Sequence, residues 1–196
     1  MRVFSMARPL SEEKKQALLT AATHAIAQLG ISASTAIIAK KAEVAEGTLF
    51  RYFPTKDALF NALYLHLKKS LCSAIMNELV VDSDPKQQMQ NIWNSYINWG
   101  AQNSDANRTI RLLIVSDKIS QEVQDEVNIL FPELYEISRK SMCHKFQNAG
   151  FSSFGDALFF SLAETTIEFS IKEPSKAKTF KEVGFQAIWH ALNADV

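Results

Sequence analysis

The sequence predicts an all-α fold, and three observations carry that expectation. Apolar residues recur at spacings of three and four along most of the 196 residues. Strand-like alternation is almost absent. The six glycines and five prolines are sparse and punctuate the helical patterns.

Composition narrows the class further. Hydrophobic residues make up 47% of the chain and charged residues 21%, which supports a sizeable core and excludes a disordered polyelectrolyte. The net charge of +0 hides an asymmetry. Residues 1–70 hold ten Lys or Arg against five Asp or Glu, whereas residues 71–196 hold eleven against sixteen. A basic front half suits a polyanionic partner. Two distant cysteines, Cys72 and Cys143, argue against a disulfide scaffold and fit a reducing cytoplasm. No apolar run approaches the ~20 residues of a membrane span. Met1 to Pro9 lacks the apolar stretch of a signal peptide. A cytoplasmic protein with no membrane partner is therefore expected.

In chain order, Ser11 is a plausible N-cap, followed by Glu12 and Glu13 at the positive end of the helix dipole. The stripe Leu18, Ala22, Ala25, Leu29 makes the first helix, and Gly30 ends it. A short helix over Ala36–Ala42 follows, with Ser34 or Thr35 as its cap, and another spans about Ala45 to Tyr52. Pro54 breaks the chain. Thr55 caps a long helix carrying Leu59, Leu63, Leu67, Leu71, Ile75 and Leu79 at a spacing of four.

Asp82 to Lys86 is a polar break. Met89, Ile92, Trp93 and Tyr96 mark an amphipathic helix ending near Gly100, and Gln102 to Asn107 is loop-like. Ile110, Leu113 and Ile114 mark a short helix. Val123, Val127, Leu130, Leu134, Ile137 and Phe146 mark a longer one, which Pro132 must kink or divide and Gly150 stops. Two helices close the chain, about 154–172 and 175–194. The first is apolar on two faces, Phe154, Leu158, Leu162, Phe169 and Phe159, Ala163, Ile167, Ile171, as a helix packed on two sides should be.

The functional signal lies in residues 38–53. Two short helices joined by a tight turn and braced by longer ones are the helix-turn-helix plan. Small Ala39 and Ala42 permit close approach, Val44 fills the angle, and Leu49 and Phe53 point inward. Gly47 leaves the recognition helix room near a DNA backbone. On that reading Thr48, Arg51 and Tyr52 lie on or near the outer face, where Arg suits guanine and Tyr or Thr suit phosphate. Lys56 at the next helix start, Ser34 and Thr35 at the second helix, and Lys40 with Lys41 are further candidates for phosphate.

These residues resemble the tetracycline-repressor (TetR) family over about residues 12–65. The match includes Ala21-Ala22, Leu29-Gly30, Ile38-Ala39, Ala42-x-Val44, Gly47-Thr48-Leu49-Phe50-x-Tyr52-Phe53, Lys56, Asp57 and Leu59. The sequence departs from the family pattern in three places. Gly30 to Ile38 is one residue short, Glu43 stands where the turn often has Gly, and Phe50 replaces Tyr.

The resemblance implies an N-terminal three-helix helix-turn-helix head over 1–55, joined by a long helix to a ligand-binding and dimerisation body over 56–196. It also implies a homodimer on double-stranded operator DNA, most simply a repressor released by a small, largely apolar effector. Candidate cavity residues are Trp93, Tyr96, Trp99, Phe131, Tyr135, Met142 and Phe146, with Glu164 beside Thr165 and Thr166 to fix a polar end. The same aromatics equally suit a plain core. Leu158, Leu162, Phe169, Ile188 and Leu192 are the expected dimer interface. His24, His66, His144 and His190 lie in different helices without ligand-like spacing, and no catalytic motif is present, so no metal, cofactor or enzymatic activity is expected. The rival readings are an all-α enzyme or lipid carrier without DNA binding, and an activator with the same head.

Overall fold

The structure, a computed structural model, describes residues 11–80, 83–141, 143–147 and 152–193. Met1 to Pro9, Asp82, Met142 and Gly150, named above, lie outside the described residues, as does position 194 at the end of the last expected helix. The chain forms two compact units. The first takes the described residues up to Leu67 together with Asp105–Val123; the second takes Lys68–Ser104 and those from Gln124 onward. The first thus extends past residue 55 and is discontinuous in sequence. Every regular element among the described residues is helical.

In the first unit, α1 (Glu12–Leu29) starts at Ser11, whose hydroxyl accepts from the Lys14 amide. It ends at Gly30, where φ is 75° and ψ −172°, a conformation essentially confined to glycine. Helix α2 (Thr35–Lys41) is capped by Ser34, which accepts from the Ile37 amide, so of the two candidate caps Ser34 serves. Helix α3 (Glu46–Tyr52) follows after a tight turn. Leu18, Ile26, Ile38, Leu49 and Leu59 are fully buried and form the core of this unit. Helix α4 (Lys56–Glu78) begins at Thr55, whose hydroxyl accepts from the Ala58 amide, and gives its residues to Leu67 to this unit.

Helix α6 (Ser104–Ile114) completes the first unit from Asp105 on. It starts inside the stretch expected as a loop. Asn103 interrupts the chain for one residue only, and polar Asn107 and Thr109 are buried on the helix. The Thr109 hydroxyl donates to the Thr23 carbonyl at 2.9 Å, and Asp105 meets His24 Nδ1 at 2.6 Å. Polar residues that make such ties read as loop in a hydropathy pattern.

In the second unit, α5 (Pro85–Gln102) is capped by Asp84, which accepts from the Lys86 and Gln87 amides. Pro132 divides the next pattern, as expected. Helix α7 (Gln121–Leu130), which belongs to this unit from Gln124 on, stops before it, α8 (Pro132–Lys140) begins on it, and α9 (His144–Gln147) is a single turn. Helix α10 (Ser152–Lys172) packs on α5 and on α11 (Ala177–Asn193), which follows a 3-10 turn at Pro174–Lys176. Phe159, Ala163 and Ile167 of α10 are buried with Phe185, Ile188 and Leu192 of α11.

Candidate nucleic-acid interface and body core

The turn between α2 and α3 sets the geometry of the interface. The Glu43 amide donates to the Lys40 carbonyl at 3.1 Å and the Val44 amide to the Ala39 carbonyl at 3.0 Å. These are the paired bonds of a Schellman ending, which needs a left-handed residue between them. Glu43 supplies it at φ 55°. A non-glycine residue there costs roughly 1 kcal/mol, which the two bonds and buried Ala39 offset.

Helix α3 turns Leu49 inward, with Phe53 behind it, and presents Glu46, Gly47, Phe50 and Arg51 outward. A Cβ placed on Gly47 would meet no atom within 4 Å, so the first turn of α3 stands open. Thr48 is half-buried. Tyr52 faces away from that surface far enough for its hydroxyl to accept from the Ser11 amide at 2.9 Å, fastening the end of α3 to the start of α1. Its own proton remains available to a phosphate.

The other predicted contacts divide by what they already hold. Lys40 and Ser34 are exposed. The Thr35 hydroxyl donates to Glu46 Oε1 at 2.6 Å, so its proton is committed. Lys56 donates to the Ile31 carbonyl at 2.8 Å and lies 5.3 Å from the Phe60 ring centroid. Its ammonium has further donors to offer. Lys41 reaches Gln28 at 3.4 Å. The sequence reading missed Glu46 and Phe50 as members of the outer face. The signal was available: they are four apart and out of phase with inward Leu49 and Phe53.

In the second unit, three of the predicted cavity residues come together. Trp93 is fully buried, donates from its indole to the Lys181 carbonyl at 2.9 Å, and meets Phe159 edge-on at 5.4 Å. Tyr96 is buried between Phe159 and Phe160, and its hydroxyl donates to buried Glu164 at 3.3 Å. Trp99 goes elsewhere, donating to Ser70 of α4 at 3.3 Å. Phe131 precedes α8 half-buried, Tyr135 is exposed, and Phe146 stacks on Phe154 at 6.3 Å. Thr165 is exposed, while Thr166 is buried and bonds the Leu162 carbonyl at 2.8 Å.

Of the predicted interface residues, Phe169 is exposed, and Leu158 and Leu162 are half-buried. Ile188 and Leu192 are each 1% exposed. Their place is inside the chain, because they lie on the α11 face that carries Phe185. Cys72 and Cys143 are free thiols, and burial pushes the Cys72 thiol up against the pull of Lys68, keeping it protonated. Among the described residues no cluster of three metal-binding side chains occurs, and no helix is long and apolar enough to cross a membrane.

Comparison with known proteins agrees with this geometry. Residues 18–63 match the model of the bacterial regulatory proteins of the tetR family. The chain is 29% identical over 101 residues to the nucleoid occlusion factor SlmA of Mannheimia succiniciproducens, a match covering 50% of this chain and 47% of that protein. It is 35% identical over 82 residues to the HTH-type transcriptional regulator BetI of Proteus mirabilis, covering 40% and 41%. The chain thus spans about half the length of the curated relatives it matches. The crystal structure of a putative tetR family transcription regulator from Shewanella sp. PV-4 superposes with a TM-score of 0.76 at 24% identity, covering 93% of this chain and 99% of that one. That likeness establishes the fold of the whole, and the match over 18–63 establishes the front. Residues 18–63, which hold the helix-turn-helix, are thus similar to the bacterial regulatory proteins of the tetR family.

Proposed function

We propose that the chain is a ligand-responsive transcription regulator, a repressor that occupies a pseudo-palindromic operator as a homodimer and leaves it when a small, largely apolar effector binds the body. The observation that carries this reading is the open outer face of α3, held at a fixed angle to α2 by the Schellman turn, in the basic half of the chain. A two-fold dimer sets its recognition helices in successive major grooves about 34–36 Å apart. Arg51 reaches a base edge; Lys56, Lys40 and Tyr52 meet phosphate.

The effector site in this reading is the buried Tyr96–Glu164 pair framed by Phe159 and Phe160, with the polar pair fixing one end of the ligand. An effector acts only through unequal affinity for the operator-bound and released states. Helix α4 is common to both units and is the natural carrier of the change. Nothing in the site supplies paired catalytic groups, and the relatives are named as regulators or as a nucleoid occlusion factor.

Gel shifts with DNA from upstream of the chain's own gene test the reading. Arg51→Ala should cost about 1–3 kcal/mol and relax preference at one position per half-site. Lys56→Ala should weaken all sequences alike and reduce the salt slope by about one unit for each phosphate left without its cation. Failure of the intact protein to shift any duplex at low salt would refute DNA regulation.

A further inference from the structure

Glu46 opens α3 and is not among the DNA contacts of Arg51, Lys56, Lys40 and Tyr52. Its carboxylate is exposed, in a half of the chain whose balance is basic. A carboxylate turned toward phosphate opposes binding by like-charge repulsion. Turned toward base edges, it has something to accept, because cytosine presents its N4 amino group in the major groove. It also repels the O6 and N7 acceptors of guanine.

We propose that Glu46 is a specificity-determining residue that accepts a hydrogen bond from the amino group of one cytosine in each half-site and is aimed by Thr35. The proposal rests on the DNA-binding reading and names what one side chain of that surface recognises. Three observations carry it. Glu46 occupies the first turn of α3, and in helix-turn-helix proteins the N-terminal residues of the recognition helix meet base edges. The neighbouring Gly47 leaves that turn unobstructed to 4 Å. Finally, the Thr35 hydroxyl donates to Oε1 across 2.6 Å from the start of α2, which restricts the Glu46 side chain before DNA arrives. A carboxylate offers about four acceptor positions, so Oε2 remains for the base.

An acid at a helix start also favours the helix dipole. That role alone would show in stability and leave base preference untouched, so the two are separable. The experiment is selection of duplexes from a random-sequence library by the intact protein, followed by titration of the selected duplex and its single-base variants. The wild-type protein is expected to require cytosine at one symmetric position of each half-site. Glu46→Ala should flatten discrimination there by roughly 5- to 150-fold and leave other positions unchanged. Glu46→Gln keeps the shape and the tie to Thr35, should fold if Glu46→Ala does not, and should move the preference toward adenine. Thr35→Val should keep the preferred base but narrow the discrimination. If Glu46→Ala or Glu46→Gln tightens binding to every duplex alike with unchanged preference, Glu46 merely repels phosphate and the proposal falls. If the wild-type protein selects no sequence, the DNA-binding reading fails first, and the proposal goes with it.

Discussion

Gly184 shows how closely the second unit is packed. A Cβ there would lie 2.6 Å from Thr166 Oγ1 and 2.8 Å from Trp93 Cζ2. The indole is pinned by its bond to Lys181 and by Phe159, so it cannot swing away. Gly184→Ala should therefore lose about 1–3 kcal/mol despite its better helix propensity, measured by urea denaturation. His66 in the first unit carries a different constraint. Burial, helped by the charge of Lys15 and opposed by Glu12, holds it below the ordinary histidine value. The folded protein then resists protonation more than the unfolded chain does. The contribution is complete above the unfolded value of about 6.5 and is lost as pH falls through the lower folded value. Thermal melts should show a midpoint falling across that window, and His66→Gln should flatten the fall.

At the scale of elements, Asn61 does the work of a splice. Its amide group donates to the Asp57 carbonyl at 2.8 Å and the Lys118 carbonyl at 2.9 Å, and its oxygen accepts from the Ser120 amide at 2.9 Å. It thereby ties α4 to the segment after α6, in which Asp117 adopts φ 53°. Asn61→Ala should destabilise by about 1–3 kcal/mol and speed amide exchange at Ser120, read by hydrogen–deuterium exchange. Ties of this kind mark the border of what the sequence reveals. Helices α1 to α5 were legible because caps such as Ser11, Thr55 and Gly30 bracket apolar stripes of the right period. The start of α6 was not, since buried Thr109 is tied to Thr23 and Asp105 to His24, both far along the chain. The outer face of α3 was legible at Arg51. Tyr52 was harder, because its hydroxyl bond to Ser11 depends on tertiary placement.

For the molecule as a whole, the proposed homodimer needs a surface, and the outer faces of α10 and α11 offer one. Phe154, Ala157, Ser161, Thr165 and Phe169 are exposed along α10, and Val183, Ala187 and Ala191 along α11. Small residues flanked by aromatic ones allow the close, self-complementary approach of a two-fold pair. Ile188 and Leu192 belong to the chain's own core, so a charge at Ala187 separates assembly from folding. Ala187→Glu should give a folded monomer in sedimentation and lose cooperative operator binding. A wild-type monomer at micromolar concentration would refute the dimer. The sequence marked α10 as apolar on two sides. It could not tell which side the chain fills itself, since Phe159, Ala163 and Ile167 differ from the open set only in phase.

The discontinuity of the first unit limits how this protein can be taken apart. Residues 105–123 belong with the front although they are written in the middle of the chain. A fragment cut after Leu67 would leave the Thr23 carbonyl and the Asn61 amide group without the partners supplied by Thr109, Lys118 and Ser120. Hybrid proteins made by exchanging N-termini at that point would inherit a foreign α6 against their own α1. A chimera that transplants 105–123 along with the front should melt cooperatively, and one that does not should melt earlier and broadly.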